Sequence, residues 1–92
     1  MKYKVSYKTE LYRNNTLIRP DGFSCITFKN QGNTSVTIDN SIELQPGESI
    51  YFNEKPYVVI DSNVVINFGN IVGEETIKNN KLVVITSFYT EI

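Results

Sequence analysis

The sequence predicts an all-β fold, a small antiparallel β-sandwich of about seven to eight strands with either jelly-roll or Ig-like connections. Apolar residues recur at every second position, and no stretch shows the 3.6-residue spacing of an amphipathic helix. Turn-forming Gly, Pro, Asn and Asp separate the apolar segments at fairly even intervals. Because 92 residues leave room for one modest core, we expect a single domain over residues 1–92.

The N-terminal segment has the alternation of a strand with one buried face. Its apolar row consists of Tyr3, Val5, Tyr7 and Leu11. Lys2, Lys4 and Lys8 share the opposite row, which we expect to be solvated. Residues 19–22 (Arg-Pro-Asp-Gly) then form a turn, because proline fixes φ and glycine permits positive φ.

The next predicted strand covers residues 23–29. Alternation places Ile26 and Phe28 on one face and Phe23 and Cys25 on the other. Cys25 is the single cysteine, so it has no internal disulfide partner, and its apolar surroundings predict a buried, unreactive thiol.

The centre of the chain predicts two turns of defined geometry. Asp39-Asn40 fits a tight hairpin turn, since both residue types tolerate the left-handed region. Gln45-Pro46-Gly47-Glu48 fits a type II turn with Gly47 at positive φ. Gly73 lies in a loop without a recognisable turn type, so a side chain there is expected to cost less than one at Gly47.

Boundaries are harder to place in the second half. Apolar residues on even positions from Val58 to Phe68 fit one long strand or two strands bent at Asp61-Ser62-Asn63. Residues 69–73 are predicted to be a loop, and 74–81 a helical turn or an edge strand.

The last segment, residues 81–92, is apolar on both faces. Leu82, Val84 and Phe88 share one face, whereas Val83, Ile85 and Tyr89 share the other. Such a strand lies in the middle of a sheet, covered on both sides by its own chain, or at an interface. Because the core is small and lacks a disulfide, we predict that Val83, Ile85 and Tyr89 form an assembly contact.

The sequence contains no recognisable catalytic site. It has no histidine, no G-x-S-x-G motif and no glycine-rich phosphate loop, so we expect a non-enzyme without cofactor or metal. The net charge of −1 and the scattered basic residues argue against nucleic acid as a partner. No signal-peptide-like or membrane-spanning apolar run occurs, so we expect no membrane partner.

A ligand-binding module remains the alternative function. Oxygen donors near residues 39–43 and 61–63 would suit calcium, and six tyrosines could stack on a glycan. Turn chemistry and strand propensity explain the same residues without a ligand. In this reading the chain belongs to a bacterial surface or accessory protein.

Two motifs lie between residues 26 and 68. Phe28–Ile38 has the form F-x-N-x-G-x-x-x-V-x-I, and Leu44–Ser49 has the form L-x-P-G-E-S. They resemble segments of small β-sandwich structural proteins of tailed phages. The resemblance implies a capsid- or tail-associated virion protein that decorates or bridges through protein–protein contacts, with itself or other virion proteins as partners. It implies localisation in the virion, after synthesis in the bacterial host cytoplasm, and no particular functional residue.

Overall fold

The computed structural model describes all 92 residues and contains eight strands and no helix. The strands are β1 (Tyr3–Tyr12), β2 (Thr16–Ile18), β3 (Cys25–Asn30), β4 (Thr34–Ile38), β5 (Ile42–Leu44), β6 (Ser49–Asn53), β7 (Val64–Ile71) and β8 (Leu82–Glu91). They form two four-stranded antiparallel sheets, ordered β1-β8-β3-β6 and β2-β7-β4-β5. The predicted antiparallel β-sandwich is confirmed.

The pairing pattern identifies the type of sandwich. β1 pairs with β8, β2 with β7, β3 with β6 and β4 with β5, so the chain is one long hairpin rolled into two sheets. That pairing is a jelly roll. An Ig-like sandwich has about seven strands, with about four in one sheet and three in the other.

The hydrophobic core lies between the two sheets. It contains Ile18, Phe23, Ile26, Phe28, Val36, Ile38, Leu44, Ile66, Leu82 and Val84. The outermost strands of the first sheet, β1 and β6, add only the partly buried Tyr12 and Ile50. Phe23, predicted to share a face with Cys25, precedes β3 and enters the core instead.

β1 forms where predicted, but its two faces are reversed. Its register with β8 places Tyr3, Val5, Tyr7 and Leu11 beside the outward-facing Tyr89 and Val83. The opposite row points towards the second sheet: Lys4, Ser6, Lys8, Glu10 and Tyr12. The facing strand β2 has only 3 residues against 10 in β1, so most of this polar row extends beyond the second sheet into solvent.

Four segments differ from the predicted boundaries. Thr16–Ile18 forms the unpredicted strand β2. β7 begins at Val64, and residues 58–63 lie in an irregular connection, so neither one long strand nor two bent strands covers residues 58–68. β7 continues through Gly69 to Ile71 with a register shift opposite Ser35, and the absence of a side chain at Gly69 leaves room for the Ser35 hydroxyl. Residues 74–81 form neither a helix nor a strand.

Side-chain amides organise the connection between β3 and β4. Asn30 is fully buried, and its Nδ2 donates to the carbonyls of Thr34 and Leu44 at 2.8 and 3.0 Å. Its Oδ1 accepts from the Gly32 amide at 3.1 Å. Asn33 donates to the Ile77 carbonyl at 2.8 Å and accepts from the Asn79 amide at 2.7 Å, which fixes the irregular segment 74–81.

Both predicted turns are present. Asp39 and Asn40 have φ of 56° and 59°, as a tight hairpin turn requires, and Gly47 has φ of 88°. Gly73 has φ of 102°, also in the left-handed region. Positive φ at both glycines favours similar costs for a side chain at the two positions, rather than the smaller cost expected at Gly73.

Candidate assembly surface

The outward-facing rows of β1 and β8 form a largely apolar surface, which Thr9 and Ser87 interrupt. We call this surface the outer patch, and it consists of Tyr3, Val5, Tyr7, Leu11, Val83, Ile85 and Tyr89. Val5, Tyr7 and Leu11 are 41%, 69% and 49% exposed. Soluble proteins rarely leave such a contiguous row of large apolar side chains open unless it contacts something.

The three residues predicted as an assembly contact lie at the centre of this patch. Val83, Ile85 and Tyr89 pair across the β1–β8 ladder with Leu11, Thr9 and Val5. They are half-buried, because β1 and β3 flank β8 on either side. β8 is thus central in its sheet, but the exposure of neighbouring Tyr7 and Leu11 shows that its own chain covers only its inner side.

The same face continues across β3 and β6 with a mixed character. Cys25, Thr27 and Lys29 of β3 face outward, and the 66% exposed Tyr51 lies beside Thr27 on β6. Lys29 stands beside Val83 at one end of the face, and Glu91 stands beside Tyr3 at the other. The apolar surface is therefore bordered by opposite charges at its two ends.

Cys25 is enclosed within this face. Its Sγ lies 3.9 Å from the Tyr89 hydroxyl and 3.9 Å from the Glu54 carbonyl oxygen. The Tyr89 ring also packs edge-on against Tyr3, with centroids 6.5 Å apart. The hydrogen bond with Cys25 raises the pKa of Tyr89. The buried cysteine expected from the sequence is confirmed, and its thiol contacts the Tyr89 hydroxyl.

A cleft of about 430 Å³ opens where the polar row of β1 passes the short strand β2. Lys8 forms ion pairs there with Glu10 at 2.9 Å and Asp21 at 3.8 Å. Tyr12 donates a hydrogen bond to Glu10. Burial, followed by this hydrogen bond, raises the pKa of Tyr12 to about 12, and the same bond lowers the pKa of Glu10.

Two of the oxygen donors considered for calcium, Asn40 and Glu43, already have other contacts. Asn40 accepts from Asn67 at 3.2 Å, and Glu43 accepts from Gln45 at 2.7 Å. No group of three or more His, Cys, Asp or Glu side chains is positioned to hold a metal ion. The six tyrosines also divide: Tyr3, Tyr7, Tyr51 and Tyr89 face outward on the first sheet, whereas Tyr12 and Tyr57 lie elsewhere.

The structure contains no helix long and apolar enough to cross a membrane. No family model, curated protein or solved structure matches the chain.

Proposed function

We propose that this chain is a non-enzymatic structural protein of a tailed-phage virion, capsid- or tail-associated, which assembles through the outer patch. The observation that carries the proposal is the reversed orientation of β1, whose apolar row faces away from the core. An amphipathic strand gains stability by burying its apolar row, and here only another molecule can bury it.

The organisation of the first sheet supports a rigid assembly module. The outer patch lies on two paired strands of 10 residues each, so a regular surface, rather than loops, is offered for contact. Residues on regular strands lose little conformational freedom when they bind. The phage assignment itself depends on the motifs in residues 28–49, whose asparagine and glycine residues have structural roles in turns.

One observation favours a second candidate, a glycan-binding module. The cleft beside β2 combines charged groups with the partly buried ring of Phe88, a lining that suits a polar ligand with an apolar face. Its ion pairs, however, satisfy one another within the chain. Binding of neutral oligosaccharides, abolished by Glu10→Gln, would favour this candidate.

Mass spectrometry of purified virions tests the main proposal. The particles would come from a host that carries the gene, and the protein is expected at a fixed copy number relative to the capsid or tail proteins. Cross-links from Lys29, at the border of the outer patch, should reach particle proteins. Particles that lack the protein would overturn the assignment.

A further inference from the structure

The outer patch requires an occupant with a flat, largely apolar surface. Resting on the proposed assembly role, we propose that this occupant is the outer patch of a second copy. The two first sheets pack face to face about a two-fold axis, with β8 of one copy antiparallel to β8 of the other. Face-to-face packing of two sheets at about 10 Å separation is how apolar sheet faces are usually buried.

The charges on the face favour this orientation. Lys29 and Glu91 stand at opposite ends of the face, separated by the length of β8 from Val83 to Glu91, about 26 Å at 3.3 Å per residue. A two-fold axis across the middle of β8 brings Lys29 of each copy towards Glu91 of the other. Two sheets packed with their strands parallel would lack this complementarity.

The side chains on the patch agree with the same axis. With the axis near Ser87, Ile85 of one copy meets Tyr89 of the other, and Leu11 meets Tyr3. Tyr7 meets its counterpart near the axis, Val5 meets Thr9, and Val83 meets Glu91 beside Lys29. The small Ser87 and the enclosed Cys25 lie close to the axis. With parallel strands, both Lys29 side chains would lie at one end of the interface and both Glu91 side chains at the other.

The available area is sufficient for a specific but weak contact. Two strands of 10 residues beside the shorter β3 and β6 present a footprint of about 500 Å² per copy. The pair would bury about 1,000 Å², the lower limit of specific interfaces. We therefore expect a dimer that dissociates in dilute solution and is held together by repetition within a particle.

The free edge of β1 does not offer an equally good contact. β1 is the outermost strand of its sheet, and an unpaired edge can accept a strand from another chain. Its inner row carries Lys4 and Lys8, and Lys2 precedes it. Lysines along an edge disfavour strand addition, because two such edges would bring like charges together. Association is thus directed to the face.

Sedimentation velocity of the wild-type protein and Ile85→Lys, from about 5 to 500 µM, tests the face. The wild type should dimerise with concentration, and Ile85→Lys should weaken dimerisation at least about tenfold, since an unpaired charge would be buried. Ile77→Lys is the matched control, because Ile77 is 81% exposed in the segment 74–81, away from the patch. If circular dichroism shows that Ile85→Lys is unfolded, Tyr7→Lys replaces it.

A charge exchange tests the orientation. Lys29→Glu and Glu91→Lys should each weaken the dimer about threefold or more, and the double variant should recover wild-type affinity. Failure of the double variant to recover would overturn the antiparallel arrangement. If Ile85→Lys dimerises as strongly as the wild type, the outer patch is not the interface. A wild type that stays monomeric, yet is present in virions, would refute self-association and leave the assembly role intact, with another virion protein as the occupant.

Discussion

The β4–β5 hairpin and the β1–β8 pair show the same alternation in sequence but face opposite ways. In β4, Val36 and Ile38 point inward and are essentially fully buried. In β1, Val5 and Tyr7 point outward and remain exposed, while Lys8 and Glu10 occupy the inner side. Alternation of apolar and polar residues shows that a strand has an apolar row. The elements packed above and below the strand decide which way that row points.

The second sheet explains the difference. Opposite β4 lies β3, with Ile26 and Phe28 fully buried, so an inward apolar row is covered from both sheets. Opposite β1 lies β2, which is 3 residues long. An apolar inner row on β1 would have met solvent along most of its length. The patch is thus a consequence of unequal strand lengths in the two sheets.

The largest expected effect compares the two faces of the first sheet directly. Phe28→Ala removes a fully buried ring from the core and should lower the free energy of unfolding by about 3–5 kcal/mol. Tyr51→Ala, on the outward row beside β3, should cost less than about 1 kcal/mol in the isolated monomer. Urea denaturation at low protein concentration measures both. Similar losses would mean that the inner and outer faces have been wrongly assigned.

A second comparison concerns the connections rather than the faces. A Cβ at Gly32 would collide with the Asn79 carbonyl oxygen and lie 2.7 Å from the Lys81 amide nitrogen. Gly32→Ala must displace backbone at the entry to β8, and we expect a loss of about 2 kcal/mol or more. Asn30→Ala should have a comparable effect, because it leaves two buried carbonyls without a donor. Thermal unfolding with wild-type stability in Gly32→Ala would contradict the packing of segment 79–81 on this loop.

A third, smaller effect tests the corrected view of the two glycine turns. Gly47→Val and Gly73→Val both place a β-branched residue at positive φ, and neither Cβ would meet another atom within 4 Å. The cost is conformational in both cases, so we expect about 1–2 kcal/mol for each. Melting temperatures that differ widely between the two variants would show that one turn relaxes to another geometry.

The sequence predicted what depends on local chemistry. The turns at Asp39-Asn40 and Gly47, the buried Cys25 and the inner and outer rows of β8 each follow from a residue type and its neighbours. The orientation of β1 could not be predicted, because it depends on the length of β2. That strand follows the turn-forming Asn14 and Asn15, and its own sequence shows no alternating pattern. The sequence predicts a loop at Gly69, because the bulge opposite Ser35, where only a glycine leaves room, is a tertiary feature.

The candidate site was partly predictable for the same reason. Val83, Ile85 and Tyr89 are identified by a strand that is apolar on both faces, which is visible in the sequence. Tyr3, Val5, Tyr7 and Leu11 join them only through the β1–β8 register, and in isolation their alternation indicates a core-facing row. Tyr12 offers a signal for the reversal. By its position it belongs to the row of lysines, and it is the only large aromatic side chain in that row.

The smallest expected effect concerns this tyrosine, the point where the inner row of β1 joins the core. Burial and the bond to Glu10 raise the pKa of Tyr12 to about 12, above the ordinary value of 10.0. Below pH 10 the phenol is protonated in both states, so the stabilisation is fully present. Between pH 10 and about 12 the unfolded phenol loses its proton before the folded one, and this stabilisation is lost as the pH rises.

Tyr12→Phe lacks the titrating group, so its melting temperature should start below that of the wild type at pH 9 and converge with it towards pH 12. Tyr7→Phe, on the outward row of the same strand, is the matched control and should keep the pH dependence of the wild type. A constant difference between the wild type and Tyr12→Phe over this range would show that the phenol of Tyr12 is not protected by the fold, and that the inner row of β1 is open to solvent up to its last residue.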